Sequence, residues 1–466
     1  MEQEGCAKPH DIILRIDTLC KVASAEKGKP FPPPNRPCRR QNHRGGRVMR
    51  RWMFLSLLLT LAACMVWATP LDDYVAAEDN TYGWQIVSTR EMPDGFTLLE
   101  MSLTSQKWRD IVWKHRVYVI KPVQLKTPEL AVLYITGSSG MSEIVAFGQV
   151  ASKVGALCVI LNDVPNQPLF GGRVEDELIS YTFMEYARTG DKTWPALLPM
   201  TKSAVRAMTA VQEVAKQQWN LDVQEFLVTG GSKRGWTTWL TAAVDRRVRA
   251  IAPMVYDILN FPKQLPHQVA TWGKYSEMIA DYSSKGLTEM LSTAEGQSLT
   301  AMVDPYSYRE RYKMPKMIVN GTNDRYWVID AAQFYFPDLP GEKYLLYVPN
   351  AGHSLREGLP RVINNIVAFY LAVASKQPLA QVQAEVKREG DKLLVTVTTK
   401  GRVDGVQIWT AHSGTKDLRN SQWTAQDAKP AGNGKYVAEI VLPSDIATFA
   451  LFADAKGKVN GAVYHV

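Results

Sequence analysis

The segment 223–248, which reads VQEFLVTGGSKRGWTTWLTAAVDRRV, places a serine where a nucleophile could act. An apolar run ends at two glycines and Ser232, and apolar residues then recur at helical spacing, which predicts a strand, a sharp turn and a helix. Such a turn lifts the hydroxyl clear of the sheet, as in the nucleophile elbow G-x-S-x-G. The match is partial, because Arg234 occupies the second glycine position and Gly235 follows one place late. A structural glycine-rich turn is the alternative interpretation.

A nucleophile elbow is accompanied along the chain by an acid and then a base, each on a loop after a parallel strand. His353 follows the apolar run 344–348, and the other histidines precede the candidate acid or lie near the C-terminus: His10, His43, His115, His267, His412 and His465. Asp324 follows the apolar run 314–321. It is preferred to Asp330 and Asp304, which are expected at a helix start and inside an insertion.

These residue types in this order predict acyl-transfer chemistry. Ser232 would attack a carbonyl, His353 would take its proton and later protonate the leaving group, and Asp324 would fix the imidazole tautomer. The backbone N–H of Lys233 and one from the loop 137–140, represented by Ser138, would hold the oxyanion. The alternative for the second loop is an ordinary connection between a strand and a helix.

Substrate contacts are predicted mainly in an insertion at residues 165–200, where the regular periodicity is lost. Glu175 and Asp176 could bind a cationic group such as a peptide amino terminus, and Tyr181 belongs to the same aromatic and acidic stretch. Trp236, in the first turn of the helix after the serine, is a further candidate. The alternative is that the two acids are solvated charges in the first turn of a helix.

The elements that must position these residues indicate an α/β fold. Strand-like runs at 84–87, 96–103 and 112–120 predict an antiparallel meander, and the nearly continuous apolar runs 129–136 and 156–162 flank a helix at 142–154. An amphipathic helix is predicted over 201–219 with Thr201 as its N-cap. The prediction is an α/β-hydrolase fold, a mostly parallel sheet with helices on both faces, over residues 69–377.

Two further regions extend this unit. A second insertion, 256–313, is helical in pattern and rich in Tyr, Trp and Met, and is interpreted as a cap over the site. Past a boundary near Gln377 the sequence consists of short alternating strands with glycine and lysine turns, which predicts a small β-sandwich domain over 378–466. No repeat, metal motif or cofactor motif is found.

The chain carries 54 Lys and Arg against 46 Asp and Glu, but residues 1–68 alone hold 12 against 5 and leave 42 against 41 for the rest. No basic stripe therefore remains for nucleic acid. Residues 49–68 read as an export signal, with Met49 as the true start and 1–48 as a non-native extension. Cleavage before Thr69 competes with a lipobox that would leave a lipidated Cys64 and a membrane attachment. Of five cysteines only Cys158 lies beyond the signal, so no disulfide framework is expected.

Four longer segments resemble a known family: GGSKRGWTTWLTAAVDRRVRAIAPMVYD, GTNDRYW, PNAGHS and TGDKTWPALLPMTKSAVRAM. Over roughly residues 71–466 the chain resembles the PhoPQ-activated pathogenicity-related protein family of exported Gram-negative proteins. The resemblance implies an α/β-hydrolase fold and a link to virulence and to resistance against cationic antimicrobial peptides. Ser232, Asp324 and His353 fall where the family's triad would lie, and Arg234 fits its SKRGW form. The leader before Met49 has no counterpart.

The sequence therefore predicts a serine hydrolase exported to the periplasm or anchored by lipid to the envelope. The implied link to peptide resistance favours a peptidase, whereas the fold carries esterase chemistry equally well. A non-catalytic protein that binds peptides or the envelope is the other class considered. Bond specificity and oligomeric state stay open.

Overall fold

A computed structural model describes residues 68–444 and 446–466. The predicted extension, the export signal ahead of Ala68 and the lipidation site Cys64 lie outside the described residues. Residues Pro70–Val466 belong to one compact unit.

The centre of this unit is a nine-stranded sheet with the order β1-β2-β3-β5-β4-β6-β7-β8-β9. Strands β1 to β3 form an antiparallel meander, β3 also pairs antiparallel with β5, and β5 through β9 are parallel neighbours. The order reverses between β4 and β5, as expected for a right-handed crossover through a helix. The strands are β1 Gly83–Met92, β2 Phe96–Trp108, β3 Ile111–Pro122, β4 Leu130–Ile135, β5 Cys158–Leu161, β6 Glu225–Gly231, β7 Val248–Met254, β8 Lys316–Gly321 and β9 Lys343–Val348.

Helices cover both faces of the sheet, which explains why its central strands are apolar almost throughout. Leu133 of β4 belongs to one apolar core and its neighbour Val132 to the other, so alternate side chains enter opposite layers. The helices are α1 Pro70–Ala76, α2 Met141–Val154, α3 Glu175–Thr189, α4 Leu197–Trp219, α5 Lys233–Val244, α6 Phe261–Trp272, α7 Ala280–Ser283, α8 Leu287–Met290, α9 Ala294–Val303 and α10 Leu359–Ser375.

The predicted start of α4 is wrong. Thr201 is not its N-cap, because the helix begins at Leu197 and the Thr201 hydroxyl donates to the Leu197 carbonyl one turn back. The residues Leu197–Met200 are fully buried, so tertiary packing extends the helix past the polar residue that the sequence offered as a cap.

Both insertions leave the carboxyl edge of the parallel strands. The first contains α3, and the second contains α6 to α9 with short 3-10 segments at Glu277–Ile279 and Pro305–Arg311. Further 3-10 segments lie at Ala331–Phe334, Phe336–Asp338 and Arg356–Gly358. Among the described residues, the helical segment Arg356–Ser375, which joins the last 3-10 turn to α10, is long and apolar enough by composition to cross a membrane. Its buried side chains Phe369 and Tyr370, however, belong to one of the two apolar cores of the sheet.

The C-terminal strands form two four-stranded antiparallel sheets with the orders β10-β11-β15-β14 and β13-β12-β16-β17. Val395 and Val397 of one sheet share an apolar core with Ile408 and Leu451 of the other, which confirms the predicted sandwich. The predicted boundary near Gln377 stays a prediction. The strands are β10 Gln381–Glu389, β11 Lys392–Lys400, β12 Gly405–Ser413, β13 Thr424–Asp427, β14 Lys429–Gly432, β15 Lys435–Val441, β16 Thr448–Val459 and β17 Ala462–His465.

Candidate active site

Ser232 lies on a strained turn between β6 and α5. Its backbone has φ 56° and ψ −126°, outside the regions that side-chain-bearing residues usually occupy. The turn is held by the Ser232 N–H, which donates to the carbonyl of Met254 at 2.9 Å, and by the Trp236 N–H, which donates to the Ser232 carbonyl at 3.0 Å. Strain of this kind is characteristic of nucleophile elbows.

The glycines around Ser232 explain the shifted motif. A methyl group on Gly235 would lie 2.8 Å from the carbonyl oxygen of Met254, and one on Gly230 would lie 2.8 Å from that of Arg234. Both positions are therefore closed to larger residues. Because Gly235 is the residue at which α5 approaches β7, it performs the packing role that the general motif gives to the preceding position.

The acid and base expected from the sequence are joined in the structure. Nδ1 of His353 lies 2.8 Å from Oδ2 of Asp324, and the other oxygen of Asp324 accepts the Tyr326 N–H at 2.8 Å. The imidazole also stacks on the Tyr326 ring, with centroids 4.0 Å apart. A carboxylate that accepts from Nδ1–H leaves the lone pair on Nε2.

Nε2 of His353 is buried and has no hydrogen-bond partner among the described residues. A bond between it and the Ser232 hydroxyl is accordingly not formed in this state. His353 and Ser232 are linked through Tyr326, whose ring stacks on the imidazole and lines the same pocket as Ser232. Catalytic hydrogen bonds are often long in the absence of substrate and tighten when it binds.

Lys233 and Arg234 form an ion cluster with the two acids at the start of α3. The Arg234 guanidinium donates to both oxygens of Glu175 at 2.7 Å, and Nζ of Lys233 lies 2.8 Å from Glu175 and 3.5 Å from Asp176. Burial alone would raise the pKa of Glu175, but the hydrogen bonds and charges of Arg234 and Lys233 lower it well below its ordinary value. The cluster therefore holds two carboxylates and two cations in mutual compensation.

The structure places two of the expected substrate-contacting residues outside the pocket. Glu175 does not line the pocket beside Ser232, and its carboxylate is paired within the protein rather than held for a substrate cation. Tyr181 does not line the pocket either, because its ring packs against Phe170 and under the Arg173 guanidinium.

Asp176 and Trp236 do line the pocket. Asp176 accepts a hydrogen bond from the Tyr282 hydroxyl at 3.0 Å, and Trp236 stacks on Tyr256 with centroids 5.0 Å apart. Tyr282 and Tyr326 were not proposed from the sequence. Tyr326 could have been found, because it lies in the GTNDRYW segment two residues after the candidate acid.

The two candidate oxyanion donors follow adjacent strands, β6 and β4, at the carboxyl edge of the sheet. Lys233 is the first residue of α5, so its N–H has no partner within the helix. Ser138 follows β4, which pairs with β6. Arg234 supports this second loop, since a side chain on Gly137 would collide with its guanidinium, and its Nε donates to the Val164 carbonyl at 2.6 Å.

The pocket beside Ser232 is open to solvent, and its empty space together with the solvent at its mouth amounts to about 760 Å³. The cap insertion and the first insertion supply most of its walls, as expected from the sequence. Its walls are aromatic and aliphatic, and include Phe183, Trp236, Tyr256, Phe261, Tyr282 and Trp327. Ligand sites with predominantly aromatic and aliphatic walls are common in enzymes. Within residues 68–444 and 446–466, no group of three or more His, Cys, Asp or Glu side chains could hold a metal ion.

The sheet order, the strained serine turn and the Asp–His pair after later strands define an α/β-hydrolase fold. The chain belongs to the PhoPQ-activated pathogenicity-related protein family, whose model matches residues 71–419. This membership confirms the resemblance read from the four sequence segments.

Relatives and solved structures extend the comparison. Autocrine proliferation repressor protein A of Dictyostelium discoideum is 33% identical over 445 residues, covering 87% of this chain and 89% of that protein. Acetyl xylan esterase 1 from Thermoanaerobacterium sp. JW/SL YS485 is 13% identical, with 65% of this chain and 91% of that chain covered at a TM-score of 0.44. The glucuronoyl esterase from Solibacter usitatus is 12% identical, with 66% of this chain and 91% of that chain covered at a TM-score of 0.41. Similarities this distant carry no argument about substrate.

Proposed function

We propose that the protein is a serine hydrolase in which Ser232 is the nucleophile, His353 the general base and Asp324 the residue that orients the base. The observation that carries the proposal is the Asp324–His353 hydrogen bond of 2.8 Å, which leaves Nε2 without a partner among the described residues. Tyr326, which stacks on this imidazole, lines the same pocket as Ser232 on its strained turn. A serine on a strained turn combined with an Asp–His pair is the arrangement that acyl transfer uses.

In the proposed mechanism, Nε2 of His353 removes the hydroxyl proton as Ser232 attacks an ester or amide carbonyl. Asp324 stabilises the imidazolium that forms. The N–H groups of Lys233 and Ser138 stabilise the oxyanion, a contribution of about 3 kcal/mol for each donor of this type. His353 then protonates the leaving group, and a water molecule repeats the sequence to release the acid.

Esterase and peptidase activity both follow from this mechanism. The link to resistance against cationic peptides, which family resemblance implies, supports a peptidase with a role in virulence. The compensated charges of Glu175 and Asp176 weaken the argument for cationic substrates, and the apolar pocket supports an esterase equally well. Export through a signal at 49–68, with or without a lipidated Cys64, belongs to the same proposal, and the word autocrine in the name of the Dictyostelium relative is consistent with it.

Activity profiling tests this proposal. The mature protein and its Ser232→Ala variant are assayed against a mixed library of esters and peptides. The expected result is turnover of at least one class by the wild type and its loss in the variant, with unchanged circular dichroism. Equal turnover by both proteins, or no turnover by either, would contradict the proposal and favour a non-catalytic binding protein.

A further inference from the structure

We infer that the pocket beside Ser232 receives one uncharged apolar group of the substrate, aromatic or branched in shape, and that it selects against cationic groups. The inference rests on the proposed hydrolase function and names its substrate class. It departs from the expectation that the acidic residues of the first insertion recruit cationic peptides.

The first support is the composition of the walls. Trp236 and Tyr256 stack on each other, and Phe261 and Phe183 meet the Trp236 ring edge-on at 5.7 and 5.9 Å. Leu291 and Leu299, from the cap, add aliphatic surface to the pocket. Rings arranged in this way offer faces and edges to an apolar group and few partners to a charge.

The second support is electrostatic. Lys233 and Asp176 are the charged residues of the pocket lining, and they lie 3.5 Å from each other. Asp176 also accepts from Tyr282, so its negative charge is already satisfied. A cation that entered the pocket would lose its hydration without gaining an unpaired carboxylate, which is unfavourable.

The third support is position. Ser232 precedes α5, Lys233 and Trp236 belong to the first turn of that helix, and all three residues line the pocket. A group held there is therefore attached close to the carbonyl that Ser232 attacks. Binding of an apolar group next to the reacting carbonyl affects kcat/KM, and therefore determines which substrates the enzyme prefers.

The test uses 4-nitrophenyl esters of acetic, 3-phenylpropionic, heptanoic and 6-aminohexanoic acid with the full chain. We expect kcat/KM to rise at least tenfold from acetate to 3-phenylpropionate, and to fall at least tenfold from heptanoate to its cationic analogue. Leu291→Trp, which fills the pocket, should lower the ratio of 3-phenylpropionate to acetate kcat/KM at least tenfold. Met278→Trp is the matched control, because Met278 is 38% exposed in the same insertion and does not line the pocket.

Similar kcat/KM values for all four esters, or a preference for the cationic one, would overturn the inference while leaving the hydrolase proposal intact. A ratio that Leu291→Trp does not change would also overturn it. Failure of the hydrolase proposal is recognised separately, as absence of both ester turnover and fluorophosphonate adducts on Ser232 of the wild-type protein.

A second, independent observation concerns the C-terminal sandwich. Its loop at residues 417–423 forms hydrogen bonds with the loop that carries the acid and with the loop that carries the base. The Asn323 amide donates to the carbonyls of Arg419 at 3.1 Å and Ser421 at 2.8 Å. Asn350 exchanges two hydrogen bonds with the Trp423 backbone, at 3.0 and 2.7 Å. Asn323 directly precedes Asp324, and Asn350 lies in the turn before His353.

The acid loop and the base loop are also hydrogen-bonded to each other, and the sandwich loop contacts the cap. The Asn350 N–H donates to the Thr322 hydroxyl at 2.8 Å, which joins the base loop to the acid loop. Arg419 forms an ion pair with Glu277 of the cap at 3.2 Å and lies over the Trp272 ring. We infer that Asn323 and Asn350 are positioning residues, through which the sandwich fixes the distance between the Asp324–His353 pair and Ser232.

Alanine variants of Asn323 and Asn350 test this role in the full chain. We expect each to lower kcat for the best ester at least tenfold with KM changed less than threefold, and Asn350→Asp, which keeps the acceptor for Trp423 N–H, to lie between. Asn365→Ala is the matched control. Asn365 is a buried asparagine of α10 that accepts the His465 N–H at 2.8 Å. Its replacement therefore removes a different contact with the sandwich, away from the acid and base loops.

Asn365→Ala should reduce thermal stability while keeping kcat within twofold of the wild type. A folded Asn350→Asp or Asn323→Ala variant with wild-type kcat would overturn the positioning role, and so would an equal loss of kcat in Asn365→Ala. A wild-type protein without turnover would instead contradict the hydrolase proposal on which this role depends.

Discussion

At the scale of single residues, the acid–base pair is the feature on which the proposed chemistry depends. Asp324 is buried, with 5% of its side chain exposed, and holds Nδ1 of His353 at 2.8 Å while accepting a backbone N–H with its other oxygen. The carboxylate is therefore fixed from two directions, and the imidazole tautomer follows from its position.

Replacement of Asp324 by Asn should abolish most turnover without unfolding the protein. An amide can donate to Nδ1 and favour the tautomer that has no lone pair on Nε2, and a loss of kcat on the order of 10⁴ accompanies this change in serine proteases. Steady-state kinetics with the best ester, together with circular dichroism, measures both effects. A kcat within tenfold of the wild type would show that Asp324 does not orient the base.

His353→Ala should likewise remove turnover in a folded protein.

Gly235 gives a prediction about stability at the same scale. Gly235→Ala places a methyl group 2.8 Å from the Met254 carbonyl, so α5 must shift away from β7. Overpacking of this kind costs about 1–3 kcal/mol of the free energy of unfolding, which urea denaturation measures. Gly414→Ala is the control, since a methyl group there meets no atom within 4 Å. Equal stability of the two variants would mean that the elbow tolerates the larger residue.

At the scale of elements, the contact between the first turn of α5 and the start of α3 fixes the neighbourhood of Ser232. Arg234 connects Glu175, the Val164 carbonyl and the underside of the Gly137 loop. The sequence could show that acidic and basic residues exist in these segments. It could not show that they pair, because the residues are separated by 59 positions and meet only through the crossover of the sheet.

Glu175→Gln should destabilise the protein in a pH-dependent manner. The pKa of Glu175 is lowered in the folded state from its ordinary 4.5, so the ionised carboxylate stabilises the fold above pH 4.5 and this stabilisation is lost as the pH falls below it. The difference in the free energy of unfolding between wild type and variant should be constant near neutrality and shrink in acid. Denaturation midpoints from pH 7 down to pH 3 measure it. A difference that grows on acidification would contradict the ion-pair assignment.

At the scale of the whole molecule, the sandwich and the hydrolase unit share packing and hydrogen bonds. Trp423 and Phe452 of the sandwich lie in one apolar cluster with Tyr347 of β9, and Arg361 of α10 forms an ion pair of 2.7 Å with the buried Asp454. The sequence identified the sandwich by its strand pattern. Its contacts with the acid and base loops were not foreseen, because asparagines that bind backbone carbonyls leave no periodic signal.

These shared contacts predict that residues Pro70–Val466 unfold in one cooperative transition. Differential scanning calorimetry of the mature protein should give a single peak whose calorimetric and van't Hoff enthalpies agree. Two resolved peaks would show that the sandwich is thermodynamically independent, as a boundary near Gln377 alone would suggest.

The sequence order Ser, Asp, His predicts the candidate site because each residue lies on a loop that follows an apolar strand. The direction in which each side chain points could not be predicted from the sequence. The sequence could not distinguish Asp176, which lines the pocket, from Glu175, which is bound by Arg234, because adjacent residues point in different directions at a helix start. The apolar character of the pocket depends on side chains from α3, α5 and the cap, which come together only in the folded protein.

Activation of the Ser232 hydroxyl by His353 is the step on which the proposed chemistry depends. The most direct measurement is reaction of the folded wild-type protein with a fluorophosphonate, followed by mass-spectrometric mapping of the adduct. We expect one adduct, on Ser232, which forms much more slowly in His353→Ala. An unmodified Ser232, or a rate unaffected by loss of His353, would contradict this activation.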